Sequence, residues 1–224
     1  MSNAKSDNRS KFINFYLIAY NFLQTLGWTL IFIKLLLYYT QSGNDSLYDV
    51  VKYPLFIFQN AAVLEVFHAI ARIVSSNPVM TAFQVASRVV LVCGVLLLSE
   101  TSRLGIGLPM ALFAWSITEI IRYSNYTFQL VNSVPYPLKY LRYTTFIVLY
   151  PIGVTGELLC LWWAQKEIGE NNQYSIDMPN KYNFIFNYQH LLWFIMVLYI
   201  PQFPQLFLYM CNQRKKALSK VKTT

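Results

Sequence analysis

A tyrosine and a glutamate, Tyr150 and Glu157, stand seven residues apart in a strongly apolar stretch of the sequence. In a helix this spacing puts both side chains on one face, separated along the axis by about 10 Å of rise. Pro151 tends to kink such a helix, and Gly153 and Gly156 leave room for a backbone or a ligand to approach. A carboxyl group has no structural need in an apolar helix, and together with a phenol it supplies two proton-handling groups. These residues therefore indicate acid–base chemistry.

Glu65 and His68 form a second group of ionisable residues, one helical turn apart in another apolar stretch. This E-x-x-H spacing is half of a di-iron bundle site, which needs a second such pair and two further glutamates. The chain contains only 2 histidines. The sequence therefore disfavours His-cluster oxygenases, and we expect no metal site.

Two apolar stretches carry arginines. Arg88 is expected to neutralise one of the buried glutamates. Glu119 and Arg122 are spaced i, i+3 and can pair on one helix face. The spacing fits either a structural ion pair at the membrane boundary or an Arg122 that binds phosphate on an incoming ligand.

The composition decides the class of protein in which these residues work. The chain has 224 residues, of which 55% are hydrophobic, 17% aromatic and 12% charged. The charged share is about half of that in soluble domains, too little to cover the surface of a soluble fold of this size. The abundance of aromatic residues excludes disorder. The net charge of +8 is spread between apolar stretches and in the tail, as expected beside anionic lipid headgroups and not for nucleic-acid binding.

Apolar stretches of the roughly 20 residues needed to cross a bilayer recur along the whole chain. No repeat or linker divides the sequence, so we expect residues 1–224 to form one all-α membrane domain with short tails at 1–11 and 211–224. That domain is predicted to be a single bundle of six transmembrane helices. The predicted spans are Phe12–Tyr39, Tyr53–Val74, Val79–Leu98, Leu104–Ile121, Tyr143–Gln165 and Phe184–Met210.

The distribution of lysine and arginine predicts the orientation. Six spans put both termini on one face, and that face carries twelve basic residues against four on the other. Because basic residues accumulate on the cytosolic side, both termini are expected to be cytosolic. Among the Asn-x-Ser/Thr sequons, those at Asn8 and Asn125 would then face the cytosol and stay unmodified, whereas that at Asn44 would face the lumen.

The motif Y-P-x-G-x-x-x-E from Tyr150 to Glu157 resembles that of the very-long-chain 3-hydroxyacyl-CoA dehydratase family, also called the protein-tyrosine-phosphatase-like A family. Further matches run nearly end to end in the family's order, and the chain looks most similar to plant-type members. They are Tyr20-Asn21 through Gly27-Trp28, Ala61–Glu65 with His68, Ser87-Arg88, Trp115-Ser116 through Arg122-Tyr123, Leu141–Tyr143, Met178–Asn180, and Gln213–Lys215 with Ala217-Leu218.

The resemblance implies dehydration of (3R)-3-hydroxyacyl-CoA to trans-2-enoyl-CoA, the third step of the very-long-chain fatty acid elongation cycle. It implies a multi-pass protein of the endoplasmic reticulum membrane. The family's catalytic residues fall on Tyr150 and Glu157; which is base and which is acid stays open, with Glu157 favoured as the base. The older family name does not imply phosphatase activity, since no cysteine here is followed by arginine at the spacing of a cysteine-based phosphatase loop.

The expected ligands follow from this chemistry. An elimination needs one group to take the C2 proton and one to protonate the departing C3 hydroxyl. A buried carboxyl and a phenol supply both groups, so no metal or organic cofactor is expected. The expected partners are the acyl-CoA, membrane lipid and the other elongation-cycle enzymes (elongase, ketoacyl reductase and enoyl reductase), and no nucleic acid. A catalytically silent membrane scaffold for other membrane or signalling proteins is the alternative, and a transporter or channel is a third. The CoA head is expected to meet basic residues at the cytosolic face, namely Arg72, Arg122, Lys139 and Arg142.

The reaction also sets a geometric expectation. C2 and C3 of the substrate are bonded neighbours, and each catalytic group must come within hydrogen-bonding reach of its proton. The Tyr150 hydroxyl and the Glu157 carboxylate are therefore expected within roughly 5–8 Å of each other. They should lie beside one cavity that opens towards the basic residues and continues as an apolar tunnel.

The C-terminal sequence generates a prediction about location. The chain ends with Lys220 and Lys222 in a K-x-K-x-x pattern, which resembles the dilysine signal that returns membrane proteins to the endoplasmic reticulum, although lysine-rich tails are also common beside membranes. Replacing both lysines with serine should let the protein reach the Golgi, as measured by microscopy and by Golgi-type processing of an added glycan. An unchanged distribution of the double variant would show that retention depends on the spans or on partners.

Overall fold

The computed structural model describes residues 2–41, 45–179, 181 and 183–219, with side chains described from 11 onwards and up to 215. Within these residues the chain is helical, apart from turns and one isolated antiparallel bridge between Ile176 and Phe186. The helices are α1 Ser2–Thr40, α2 Leu47–Ala61, α3 Val63–Ile70, α4 Pro78–Val89, α5 Glu100–Leu104, α6 Gly107–Leu130, α7 Tyr136–Arg142, α8 Phe146–Asn171 and α9 Tyr188–Ser219, with a π-helical segment Val90–Leu96 continuing α4.

Three features of the sequence analysis lie outside the described residues. They are the Asn44 sequon, Asn180 of the Met-Pro-Asn motif, and the Lys220 and Lys222 pair. The side chain of Asn8 in the first sequon is outside the described part as well.

Among the described residues, five helical segments are long and apolar enough to cross a membrane, and each overlaps one of the predicted spans. They are Lys11–Thr40, Leu47–Ile70, Pro78–Leu96, Phe146–Asn171 and Tyr188–Lys215. The remaining predicted span, Leu104–Ile121, corresponds to α6, a 24-residue helix. Its second half carries Glu119 and Arg122, which lower its mean hydropathy, so α6 is long enough to cross a membrane but is not among the strongly apolar helices.

Local sequence explains where several helices begin. Ser46 precedes α2 and accepts a hydrogen bond from the Asp49 amide, and Asn77 precedes α4 and accepts from the amides of Val79 and Met80. Such side chains satisfy amide groups that have no partner within the helix. Pro78 follows Asn77 as the first residue of α4, where its missing amide hydrogen costs nothing.

The outer surface of the bundle is apolar. Large side chains on it remain well exposed, for example Phe15 at 71%, Tyr53 at 71% and Ile200 at 73%. Contiguous exposed apolar surface on this scale is found on proteins whose surroundings are themselves apolar. The surface therefore agrees with the composition in indicating a membrane protein.

Helix α6 packs against α1 on one side and α8 on the other. The contact with α8 is close because two glycines face each other there. A Cβ atom on Gly156 would lie 2.6 Å from the Ala111 nitrogen and 2.7 Å from the Gly107 oxygen, both backbone atoms of α6. Small residues of this kind let two membrane helices approach at backbone distance, which confirms the expectation that Gly156 leaves room for another backbone.

The Asn125 sequon does not report on orientation. The Asn125 side chain is 1% exposed, and its Oδ1 accepts a hydrogen bond of 2.6 Å from Arg142 Nη1. A glycan cannot be attached to this side chain in the folded protein, whichever way α6 points. Absence of a glycan on Asn125 is therefore expected for either orientation.

The close α6–α8 contact makes a prediction about stability. Gly156→Ala should destabilise the bundle by about 1–3 kcal/mol, because the added methyl group overpacks an interface whose opposing atoms are backbone. Thermal unfolding in detergent measures this effect. Gly105→Ala is the matched control, since its Cβ would lie 3.2 Å from the Trp163 indole and no closer than 3.8 Å to a backbone atom, the Thr101 oxygen. Equal melting temperatures for the two variants would contradict this account of the contact.

Candidate active site

A cavity of about 1570 Å³ lies inside the bundle, between α1, α3, α4, α6, α8 and α9. Tyr150 and Glu157 both line it, together with Gly153 between them. The expectation that the two residues share one cavity is therefore confirmed. From Phe146 to Glu157 the cavity follows α8 for about 16 Å of helix rise, and Glu157 is its lining residue furthest along this helix.

Glu157 is buried, with 6% of its surface exposed, and each of its carboxylate oxygens accepts a hydrogen bond. Trp115 Nε1 on α6 donates to Oε1 at 2.8 Å, and the Tyr199 hydroxyl on α9 donates to Oε2 at 2.6 Å. A carboxylate oxygen can accept two hydrogen bonds. The remaining lone pair on each oxygen is left for another proton.

Tyr150 is held by its ring. The ring stacks on Phe203 of α9 with centroids 5.1 Å apart and planes at 7°, and Phe207 lies on the same side with centroids 6.3 Å apart. Within the described part of the chain no group is hydrogen-bonded to the Tyr150 hydroxyl. The Tyr150 ring is thus held in place at the cavity wall, and its hydroxyl can still donate a hydrogen bond to a ligand.

Sequence reasoning did not assign roles to Trp115 and Tyr199. Trp115 stood in one of the motifs that carried the family resemblance, but nothing in its spacing linked it to Glu157, 42 residues later in the chain. Tyr199 belongs to an apolar span rich in aromatic residues, where one hydroxyl gives no distinguishing signal. Both contacts depend on how α6 and α9 pack against α8.

A cluster of four charged residues from α3, α4 and α6 also lines the cavity. Arg122 donates to both oxygens of Glu65, at 2.6 and 2.9 Å, and through Nε to Glu119 at 2.7 Å. Arg88 on α4 donates to the other oxygen of Glu119. The expectation that Arg88 neutralises a buried glutamate and the i, i+3 pairing of Glu119 with Arg122 are both confirmed. Two arginines and two glutamates make the cluster electrically neutral.

Glu65 and His68 have separate partners. Glu65 binds Arg122 and also accepts from the Tyr123 hydroxyl, whereas His68 Nε2 shares a hydrogen bond of 3.0 Å with the Tyr16 hydroxyl. The residues that the structure describes contain no group of three His, Cys, Asp or Glu side chains placed to hold a metal ion. Glu65 and His68 therefore take part in two separate helix–helix contacts, of α3 with α6 and of α3 with α1.

The four basic residues expected to meet the CoA head are not equivalent in the structure. Arg72, Arg122 and Arg142 line the cavity, whereas Lys139 on α7 does not. The guanidinium of Arg122 is already bound to two carboxylates. Arg72 is exposed and follows the end of α3 with a left-handed backbone, φ 53°. Arg72 and Arg142 therefore have guanidinium groups near the cavity that are not held in an ion pair by a described residue.

The fold and the site define an all-helical protein with membrane-length apolar helices and a carboxyl–tyrosine pair in an internal cavity. The sequence profile of the family described as "Protein tyrosine phosphatase-like protein, PTPLA" matches residues 59–220. The chain belongs to this family.

Three relatives show how the similarity is distributed. The chain is 47% identical to "Very-long-chain (3R)-3-hydroxyacyl-CoA dehydratase 2" of Mus musculus, covering 91% of this chain and 81% of that protein. It is 48% identical to "Very-long-chain (3R)-3-hydroxyacyl-CoA dehydratase hpo-8" of Caenorhabditis elegans, covering 91% and 94%. It is 35% identical to "Very-long-chain (3R)-3-hydroxyacyl-CoA dehydratase PASTICCINO 2" of Arabidopsis thaliana, covering 92% and 94%.

These identities bear on the family resemblance in two ways. The resemblance to the dehydratase family is confirmed. The greater similarity to plant-type members is not supported, because the mouse and nematode proteins are more similar to this chain than the Arabidopsis one. No solved structure gives a significant match.

The charge cluster generates a prediction about stability. Arg122→Gln should lower the stability of the bundle by roughly 3–5 kcal/mol, because Glu65 loses its cation and Glu119 loses one of two. Thermal unfolding in detergent is the measurement. Arg142→Gln is the control because Arg142 gives up a hydrogen bond to Asn125 and contacts with the Tyr126 and Tyr143 rings, but no ion pair. If Arg142→Gln proved as destabilising as Arg122→Gln, the cluster would not be the stabilising element described here.

Proposed function

We propose that this protein removes water from (3R)-3-hydroxyacyl-CoA to give trans-2-enoyl-CoA, the third step of the very-long-chain fatty acid elongation cycle. The observation that carries the proposal is the buried Glu157 carboxyl lining the same cavity as Tyr150. The names of the relatives support the same activity. The scaffold and transporter alternatives do not require a carboxyl and a phenol to share a cavity.

Glu157 acts as the base and Tyr150 as the acid in this proposal. Glu157 takes the C2 proton, the electron pair of that C–H bond forms the C2–C3 double bond, and the C3–O bond breaks. The leaving hydroxyl takes the phenolic proton of Tyr150 and departs as water. The proton on Glu157 then returns to the Tyr150 phenolate, directly or through water, before the next turnover. Two donated hydrogen bonds hold the Glu157 carboxyl, and a lone pair on each oxygen remains for the C2 proton.

The shape of the cavity supports a substrate with a polar head and a long linker. Arg72 and Arg142 line the end at which α8 begins, and Glu157 lies about 16 Å of helix rise beyond that start. An extended arm such as the pantetheine of CoA would span this interval and keep its phosphates near the arginines.

The location of the protein is part of the proposal. We infer one domain of six transmembrane helices, with α6 as the fourth span and both termini cytosolic, in the endoplasmic reticulum membrane. The polar half of α6 faces the charge cluster and the cavity, so it can cross the membrane without exposing Glu119 or Arg122 to lipid. The cavity end with Arg72 and Arg142 then faces the cytosol. The other elongation-cycle enzymes are the proposed partners there.

Turnover by reconstituted protein tests this function. Glu157→Gln and Tyr150→Phe should each reduce dehydration of a long-chain (3R)-3-hydroxyacyl-CoA by at least about 100-fold, because each removes one proton-handling group without changing volume. Glu170→Gln, an exposed glutamate on the same helix, is the control and should keep wild-type turnover. Folded wild-type protein without turnover would contradict the proposed activity, and near-native turnover by either catalytic variant would contradict the proposed mechanism.

A further inference from the structure

Helix α9 presents one face to both residues of the proposed catalytic pair. Tyr199, Phe203 and Phe207 recur at every fourth residue of α9 and therefore lie on one side of it. Tyr199 contacts Glu157, and the two phenylalanines contact Tyr150. Since α8 and α9 run antiparallel, later residues of α9 meet earlier residues of α8. One face of α9 thus contacts both residues of the proposed catalytic pair on α8.

The Tyr199 contact fixes a torsion that the Glu157 side chain leaves free. The terminal torsion of a glutamate is broad and roughly two-fold, so a carboxylate attached only by its chain samples many orientations of its plane. Hydrogen bonds to both oxygens, from Trp115 and Tyr199, hold that plane. A base that is held in this way keeps a lone pair directed at the proton it removes, and small misplacement of a catalytic group is costly for rate.

We propose that Tyr199 is a positioning residue for Glu157: its hydroxyl orients the carboxylate towards C2 of the substrate. Tyr199 acts through Glu157 and does not touch the reacting atoms. This inference rests on the proposed function, because it assigns Glu157 as the group that takes the C2 proton. Neither the position nor the type of Tyr199 was singled out by the sequence.

Turnover kinetics of Tyr199→Phe give the first test. The variant keeps the ring and removes only the hydroxyl, so the kcat of the folded protein should fall by about 10- to 100-fold, while KM stays within experimental error of wild type. Tyr53→Phe is the control, since Tyr53 is 71% exposed on the outside of α2 and should show wild-type kcat. A merely structural role for Tyr199 would lower the melting temperature or the active fraction and leave the kcat of folded protein unchanged.

Infrared difference spectroscopy tests the contact without relying on turnover. Subtracting the spectrum of Glu157→Gln from that of wild type isolates the carboxyl bands of Glu157. Those bands should shift in Tyr199→Phe, because one carboxylate oxygen loses its donor, and should stay in place in Tyr53→Phe.

The two readouts separate this inference from the proposed function. If wild type turns over and Glu157→Gln does not, a Tyr199→Phe variant with wild-type kcat overturns the positioning role and leaves the function standing. If folded wild type has no turnover, the dehydratase function fails, and with it the positioning of a base at C2; the infrared shift then reports only whether the hydrogen bond exists. Unshifted Glu157 bands in Tyr199→Phe overturn the inference in either case.

Discussion

A carboxyl group within a bundle of apolar helices must find its hydrogen-bond partners inside the protein, because hydrocarbon offers none. Glu157 meets this requirement through donors on two different helices, Trp115 on α6 and Tyr199 on α9. The positions of both helices relative to α8 are therefore tied to the one residue that the proposed chemistry needs most. The close glycine contact between α6 and α8 brings the Trp115 indole within reach of Glu157. The stacking of Tyr150 on Phe203, between α8 and α9, brings the Tyr199 hydroxyl within reach of the same carboxyl.

The same requirement governs the other charges near the cavity. Glu65, Arg88, Glu119 and Arg122 satisfy one another across α3, α4 and α6, and the four together carry no net charge. Replacing one member would leave a carboxylate or a guanidinium without a counter-ion, which costs much more than the pair contributes. This bears on how the substrate head is recognised. An arginine that holds two carboxylates in place is poorly suited to release them for a phosphate, so the proposed function places that contact at Arg72 and Arg142.

The sequence predicted the parts of this arrangement that depend on local pattern. The length of the apolar stretches located five of the membrane-length helices. The seven-residue spacing placed Tyr150 and Glu157 on one face of α8. The buried arginines and glutamates were expected to pair. The sequence could not predict which helices meet. Trp115 and Tyr199 reach Glu157 only through the packing of α6 and α9, and the partners of Arg122 come from α3 as well as from its own helix. The buried state of Asn125, which removes the value of its sequon, also follows from tertiary packing alone.

Glu157 and Tyr150 are proposed to act together on two neighbouring carbon atoms of the substrate within the cavity. An experimental structure in a lipid nanodisc, with a non-reactive 3-hydroxyacyl-CoA analogue bound, tests this claim most directly. Our account predicts that C2 of the analogue lies beside the Glu157 carboxylate and that the C3 oxygen accepts a hydrogen bond from the Tyr150 hydroxyl, within about 3 Å. It also predicts the CoA phosphates near Arg72 and Arg142. An analogue bound outside the cavity, or with only one of the two side chains within reach of its reacting carbons, would contradict the account.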